Sequence, residues 1–273
     1  MKDIIKNIFY FILISAILIN LFIIKLTLLG ILLGIIYIIL FGFLLGKIIF
    51  KKQNFSFQII LGSFILICLY SFLGSIEYYF HLLDQISVSG IFILISVIIL
   101  FLNFQNKDKY KFNWHFFNQR IIKGKSFLLI IAYLLSFISS LIILFKNQTT
   151  DPINSPWQIL PTAFFIVYFL ASINLILVIL YNKNFFSNIL IACHFFLTAS
   201  IALIIYQLGF GFDPFIHQAT ENAIFNQGLI LPKPFYYLGQ YSVVVIFAHL
   251  FQISIEWIDK LLLPLLIPLI LPY

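Results

Sequence analysis

Eight stretches of about 20 apolar residues, separated by short polar breaks, constrain this chain more than any other feature. They run near 7–24, 27–46, 56–76, 86–103, 126–145, 158–181, 187–208 and 241–258 of the 273 residues. A helix of that length crosses a hydrocarbon slab of about 30 Å. Within a bilayer only helices and closed barrels pair all their backbone polar groups, and a barrel needs strands of alternating polarity that this sequence lacks. Charged residues make up 9% of the chain, against about 25% in soluble domains. The expected fold is therefore all-α, a polytopic transmembrane bundle of about eight spans.

The formal charge of +7 does not point to nucleic acid, because the lysines punctuate apolar runs and do not gather on one amphipathic face. Cys68 and Cys193 each sit inside an apolar run, where a thiol behaves as a small hydrophobe and no disulfide framework is implied. The N-terminus resembles a signal peptide but lacks a small-residue cleavage site, which makes the first stretch an uncleaved span. Gly30 and Gly34, four apart on the second span, allow another helix to approach closely.

Lysine and arginine near span ends stay on the cytoplasmic side. With the N-terminus inside, thirteen of the sixteen cations fall on inner segments, and only Lys25, Lys146 and Lys233 fall outside. This predicts a multi-pass protein of an inner or plasma membrane with both ends cytoplasmic. The inner segment 104–125 interleaves Lys107, Lys109, Lys111 and Arg120 with Tyr110, Phe112, Trp114, Phe116 and Phe117, a composition suited to the headgroups of membrane lipids. The sequon at Asn147 reads as a chance occurrence in a chain rich in asparagine. Glu77, His81 and Asp84 form a capped outer rim, and His194 and His249 are the titratable residues deep within spans.

The long outer segment 209–240 carries most of the clustered polar groups. Gly209 and Gly211 break the preceding helix, and Asp213-Pro214 starts a new one with a capping acid and a proline at its first position. Phe215, Ile216, Ala219 and Ala223 give this helix an apolar side suited to lying flat on the bilayer. Asp213, His217 and Glu221 recur every four residues and so share one face, three groups able to hold a divalent cation or move a proton. Equally, Asp213 can simply cap the helix while His217 and Glu221 pair along it. Further on, Lys233 stands between two prolines, beside Tyr236, Tyr237 and Tyr241. It can contact a phosphate while the tyrosines stack on a sugar or prenyl chain, or these residues can form an interfacial belt with a snorkelling lysine.

The run Asp213-Pro214-Phe215-Ile216-His217-Gln218-Ala219-Thr220-Glu221, then Gly228 and Tyr237-Leu238-Gly239-Gln240, resembles the first outer loop of GT-C membrane glycosyltransferases. The similarity is greatest to the catalytic subunit of oligosaccharyltransferase. It implies that Asp213, with His217 as the next matching position, helps hold a divalent metal (Mg or Mn) and the acceptor; Glu221 joins these two as a candidate catalytic residue by its spacing, and Lys233, Tyr236 and Tyr237 are the candidate substrate contacts. The implied donor is a polyprenyl-phosphate sugar at the outer face. The family's second acidic motif has no counterpart after Lys260. A six-span bundle over 1–186, followed by 187–273 with two spans flanking the loop, would then be the N-terminal portion of a longer enzyme or a relative lacking half the site. Two other classes remain open: a non-catalytic scaffold or accessory subunit, and a small-molecule transporter.

Overall fold

The computed structural model describes residues 2–105, 125–181, 185–208 and 213–270. Among them the chain forms ten α-helices and no strand beyond a single bridge between Thr149 and Tyr206. They are α1 (Lys2–Ile19), α2 (Thr27–Ile49), α3 (Phe55–Phe80), α4 (Gln85–Gln105), α5 (Lys125–Lys146), α6 (Thr162–Tyr181), α7 (Phe185–Ile205), α8 (Asp213–Gln227), α9 (Leu238–Phe251) and α10 (Ile255–Ile270). The basic, aromatic inner segment falls largely outside the described residues.

Six helices, α2 to α7, are long and apolar enough to cross a membrane, and the bent pair α9 and α10 can count as a seventh crossing. The protein is thus a multi-pass helical membrane protein, but the expected first and eighth spans take other forms. The first is a 17-residue apolar helix over Ile8–Ile24. It ends in a π turn, Asn20–Ile24, and Lys25 then leaves the helix in the left-handed region. Asn20 is fully buried, and its amide brackets the turn: Nδ2 donates to the Leu26 carbonyl at 3.2 Å and Oδ1 accepts from the Leu26 amide at 3.1 Å. The eighth breaks after Phe251, where Gln252 adopts a left-handed backbone with φ of 55°. Beyond the break α10 turns away by 115°.

The chain divides into two compact units, Met1–Lys107 with Phe212–Leu262, and Asp108–Gly211 with Leu263–Tyr273. In the first, α9 packs against α2, α3, α4 and α8 and is buried continuously from Tyr241 to Phe251. Small residues admit it. A Cβ on Gly30 would overlap the Phe251 carbonyl, and one on Gly34 would overlap the Phe251 ring. The close approach expected at these two glycines is therefore made by α9. Gly42, Gly46 and Gly62 bring the backbones of α2 and α3 together in the same way. Between α2, α3 and α4 the Tyr37 hydroxyl bonds both the Tyr70 hydroxyl (2.7 Å) and Ser96 Oγ (3.0 Å). In the second unit, Tyr133, Ala171, Leu175, Val178 and Leu190 form one buried cluster of α5, α6 and α7, and Leu144, Phe164, Leu197 and Ile201 belong to another.

Candidate functional site

The site is built on α8 in the first unit. Asp213 is the first residue of this helix, as its cap-and-proline sequence requires, and its side chain lies outside the described residues. The polar side of α8 turns inward, while Phe215 and Ile216 remain about half exposed, at 46% and 50%. His217, Gln218, Glu221 and Asn222 all meet α9 or α10.

His217 Nδ1 lies 2.7 Å from the Tyr241 hydroxyl, and its ring stands edge-on to Tyr237 with centroids 4.6 Å apart. This fixes the imidazole from two sides and leaves Nε2 as its other polar atom. Glu221 is completely buried, and neither carboxyl oxygen has a hydrogen-bond partner among the described residues. The His217–Glu221 pair allowed by their spacing does not form, because His217 bonds across to α9. Burial pushes the Glu221 carboxyl up to about 9, and the nearby Asp259 carboxylate adds to this, while the neighbouring Gln240 amide, outside hydrogen-bonding geometry with either oxygen, opposes it.

Asp259, on α10, is the centre of the polar contacts. Gln218 Nε2 donates to its Oδ2 and Gln240 Nε2 to its Oδ1, each at 3.2 Å. One turn along α8, Asn222 Nδ2 lies 3.5 Å from Glu256 Oε1. The sequence did not single out Asn222, Glu256 and Asp259, and Gln218 and Gln240 entered only as members of the resembling run. One signal was present: Glu256 and Asp259, three residues apart and hence on one helical face, are with Lys260 the charged residues that follow Lys233.

Lys233 and the tyrosines lie in the segment after α8. The Lys233 ammonium donates to the carbonyls of Tyr78 (2.9 Å), Tyr79 (2.8 Å) and His81 (3.1 Å). All three of its protons are thereby spent on the C-terminal end of α3, whose carbonyls carry the negative end of the helix dipole. Leu83 N–H donates to the Gly228 carbonyl at 2.8 Å and anchors the other end of the segment. Tyr236 and Phe235 point outward, 69% and 81% exposed. Tyr237 joins His217 and Tyr241.

Other singled-out residues lie elsewhere. Glu77 Oε1 is 3.5 Å from His81 Nδ1. Asp84 Oδ1 accepts from the amides of Ile86 (3.1 Å) and Ser87 (2.8 Å) at the start of α4, and these bonds, the Ser87 amide first, hold its carboxyl below the usual range. His194 Nε2 is 3.2 Å from Ser172 Oγ and its ring stacks on Tyr168. His249 stacks on Phe225 at 4.0 Å. The Asn147 amide caps its own helix through the Ile143 carbonyl at 2.8 Å.

Among the described residues no three His, Cys, Asp or Glu side chains converge as a metal cluster. The Asp213 side chain lies outside the described residues, and Tyr241 engages one nitrogen of His217. No protein family, curated protein or solved structure matches this chain.

Proposed function

We propose that this membrane protein is a GT-C-like glycosyltransferase, or the N-terminal part of one, acting at the outer face of an inner or plasma membrane. The observation that carries the reading is that the two ends of the resembling segment meet. His217 of its opening contacts Tyr237 and Tyr241 around its close, and Gln218 and Gln240 share Asp259. Residues separated by a 10-residue connection between α8 and α9 thus act as one unit.

In this reading the donor is a polyprenyl-phosphate sugar. The acceptor oxygen forms a bond to the anomeric carbon as the bond from that carbon to the phosphate oxygen breaks. The electron pair leaves with the phosphate, and the acceptor proton passes to the Asp213 carboxylate. His217, held by Tyr237 and Tyr241, orients the acceptor, Tyr236 offers an exposed ring to sugar or prenyl chain, and Glu221 supports the helix as a neutral acid. Lys233 serves the fold of the segment.

In membranes carrying the complete protein and a labelled polyprenyl-phosphate sugar, Asp213→Asn abolishes glycan transfer with membrane insertion unchanged. Transfer retained by this variant refutes the assignment. The exposure of Phe215 and Ile216 favours a second reading, an accessory subunit that docks a partner through α8. There Phe215→Ala, and not Asp213→Asn, breaks co-purification of the partner.

A further inference from the structure

The first unit buries a carboxyl group that the glycosyltransferase chemistry does not use as a base. Glu221 has no exposed surface and no hydrogen-bond partner among the described residues for either oxygen. A carboxylate in that position would carry an uncompensated charge out of water, which proteins avoid by protonation or by pairing with a cation. The surroundings decide between the two. Asp259, the acid facing Glu221 from α10, receives an amide N–H on each of its oxygens, from Gln218 and Gln240. Those donors present their hydrogen atoms, not their oxygens, to Asp259. A metal ion would meet amide hydrogens there, whereas a proton on Glu221 needs no coordination sphere.

We infer that Glu221 is held as a neutral carboxylic acid on the face of α8 that meets α9 and α10, and that docking of α8 onto these helices takes up one proton from water. The inference is independent of the glycosyltransferase reading and assigns a second role to the same helix: a latch whose closure is linked to pH.

The other titratable groups around Glu221 have contacts of their own. From α9, Tyr241 bonds His217 and His249 is stacked on Phe225. From α10, Glu256 meets Asn222, and Lys260 is drawn to Glu256 and lies 6.0 Å from the Trp257 ring. On α8 itself His217 is turned to Tyr237 and Tyr241.

The sign of the linkage follows. In the undocked helix Glu221 is solvated and ionises at its ordinary value of 4.5, whereas docked it ionises at about 9. Between these limits the docked state holds one more proton, so docking is strongest at low pH and its equilibrium constant falls about tenfold for each unit of rising pH.

Hydrogen–deuterium exchange of the full chain in lipid nanodiscs tests this, followed at the α8 amides of Ile224 and Phe225 and corrected for the intrinsic rate. In the wild type, protection falls about a hundredfold from pH 6 to pH 8. In Glu221→Gln, a neutral isostere, it is independent of pH. Infrared spectra of the same samples provide a second readout that does not depend on the variant folding: the wild type shows a protonated carboxylic acid C=O stretch at pH 7 that is lost near pH 9. Asp259→Asn removes the neighbouring charge and moves this loss to lower pH. Protection that does not change with pH in the wild type, a slope that survives in Glu221→Gln, or the absence of the acid band at pH 7 overturns the proposal. So does an acid band that vanishes on adding sodium or calcium ions, which would make Glu221 and Asp259 a cation site.

Discussion

Replacing Lys233 by methionine keeps the apolar stem and removes the three donors that tie residues 228–237 to the end of α3. The bond to the Tyr78 carbonyl is partly buried, and those to Tyr79 and His81 are exposed. A hydrogen bond from a charged group contributes about 1.5 kcal/mol when partly buried and about 0.5 kcal/mol at an exposed carbonyl, so the three Lys233 bonds supply roughly 2–3 kcal/mol. That cost is local, because the helices beneath keep their own packing. It raises the opening constant of the segment about 30- to 150-fold. Hydrogen exchange reads it directly at two amides: Leu83, bonded to the Gly228 carbonyl at 2.8 Å, and Ile230, 3.4 Å from the Tyr78 hydroxyl. Both should exchange faster by that factor, with exchange within the core of α3 unchanged. Unchanged exchange at Leu83 and Ile230 would refute the cap and return Lys233 to service as a phosphate ligand.

Two packing predictions follow from the first unit. Tyr37→Phe deprives the buried Tyr70 and Ser96 hydroxyls of their shared partner and should lower stability by about 1–2 kcal/mol, read as an earlier midpoint in denaturing-detergent titrations. Gly46→Leu places a side chain where even a Cβ would overlap the Gln58 carbonyl, so α2 and α3 must separate at a cost of about 3 kcal/mol or more. Loss of the monodisperse peak in size-exclusion chromatography checks this, and a wild-type profile would contradict the close approach.

Most of the spans were legible in the sequence because crossing a bilayer depends on the length of an apolar run, a property visible without knowing what the run touches. The helix start at Asp213-Pro214 was legible for a similar reason, since capping is chemistry between near neighbours. The glycine pair of the second span, Gly30 and Gly34, announced an approach but not its partner. That partner is α9, which reads as a span because it is apolar on every side, yet a helix buried among other helices has the same composition as one facing lipid. Its break at Gln252 has no glycine or proline beside it to announce a turn. The inward face of α8 was hidden too. Four-residue spacing places Asp213, His217 and Glu221 on one side of a helix, but periodicity carries no information about what that side meets. Only the tertiary structure turns it toward Tyr241, Gln240 and Asp259, separates His217 from Glu221, and commits Lys233 to the carbonyls of α3. These are contacts between residues about 20 to 150 positions apart. They are selected by the need to pair buried polar groups after the helices have packed, a requirement that no local pattern encodes.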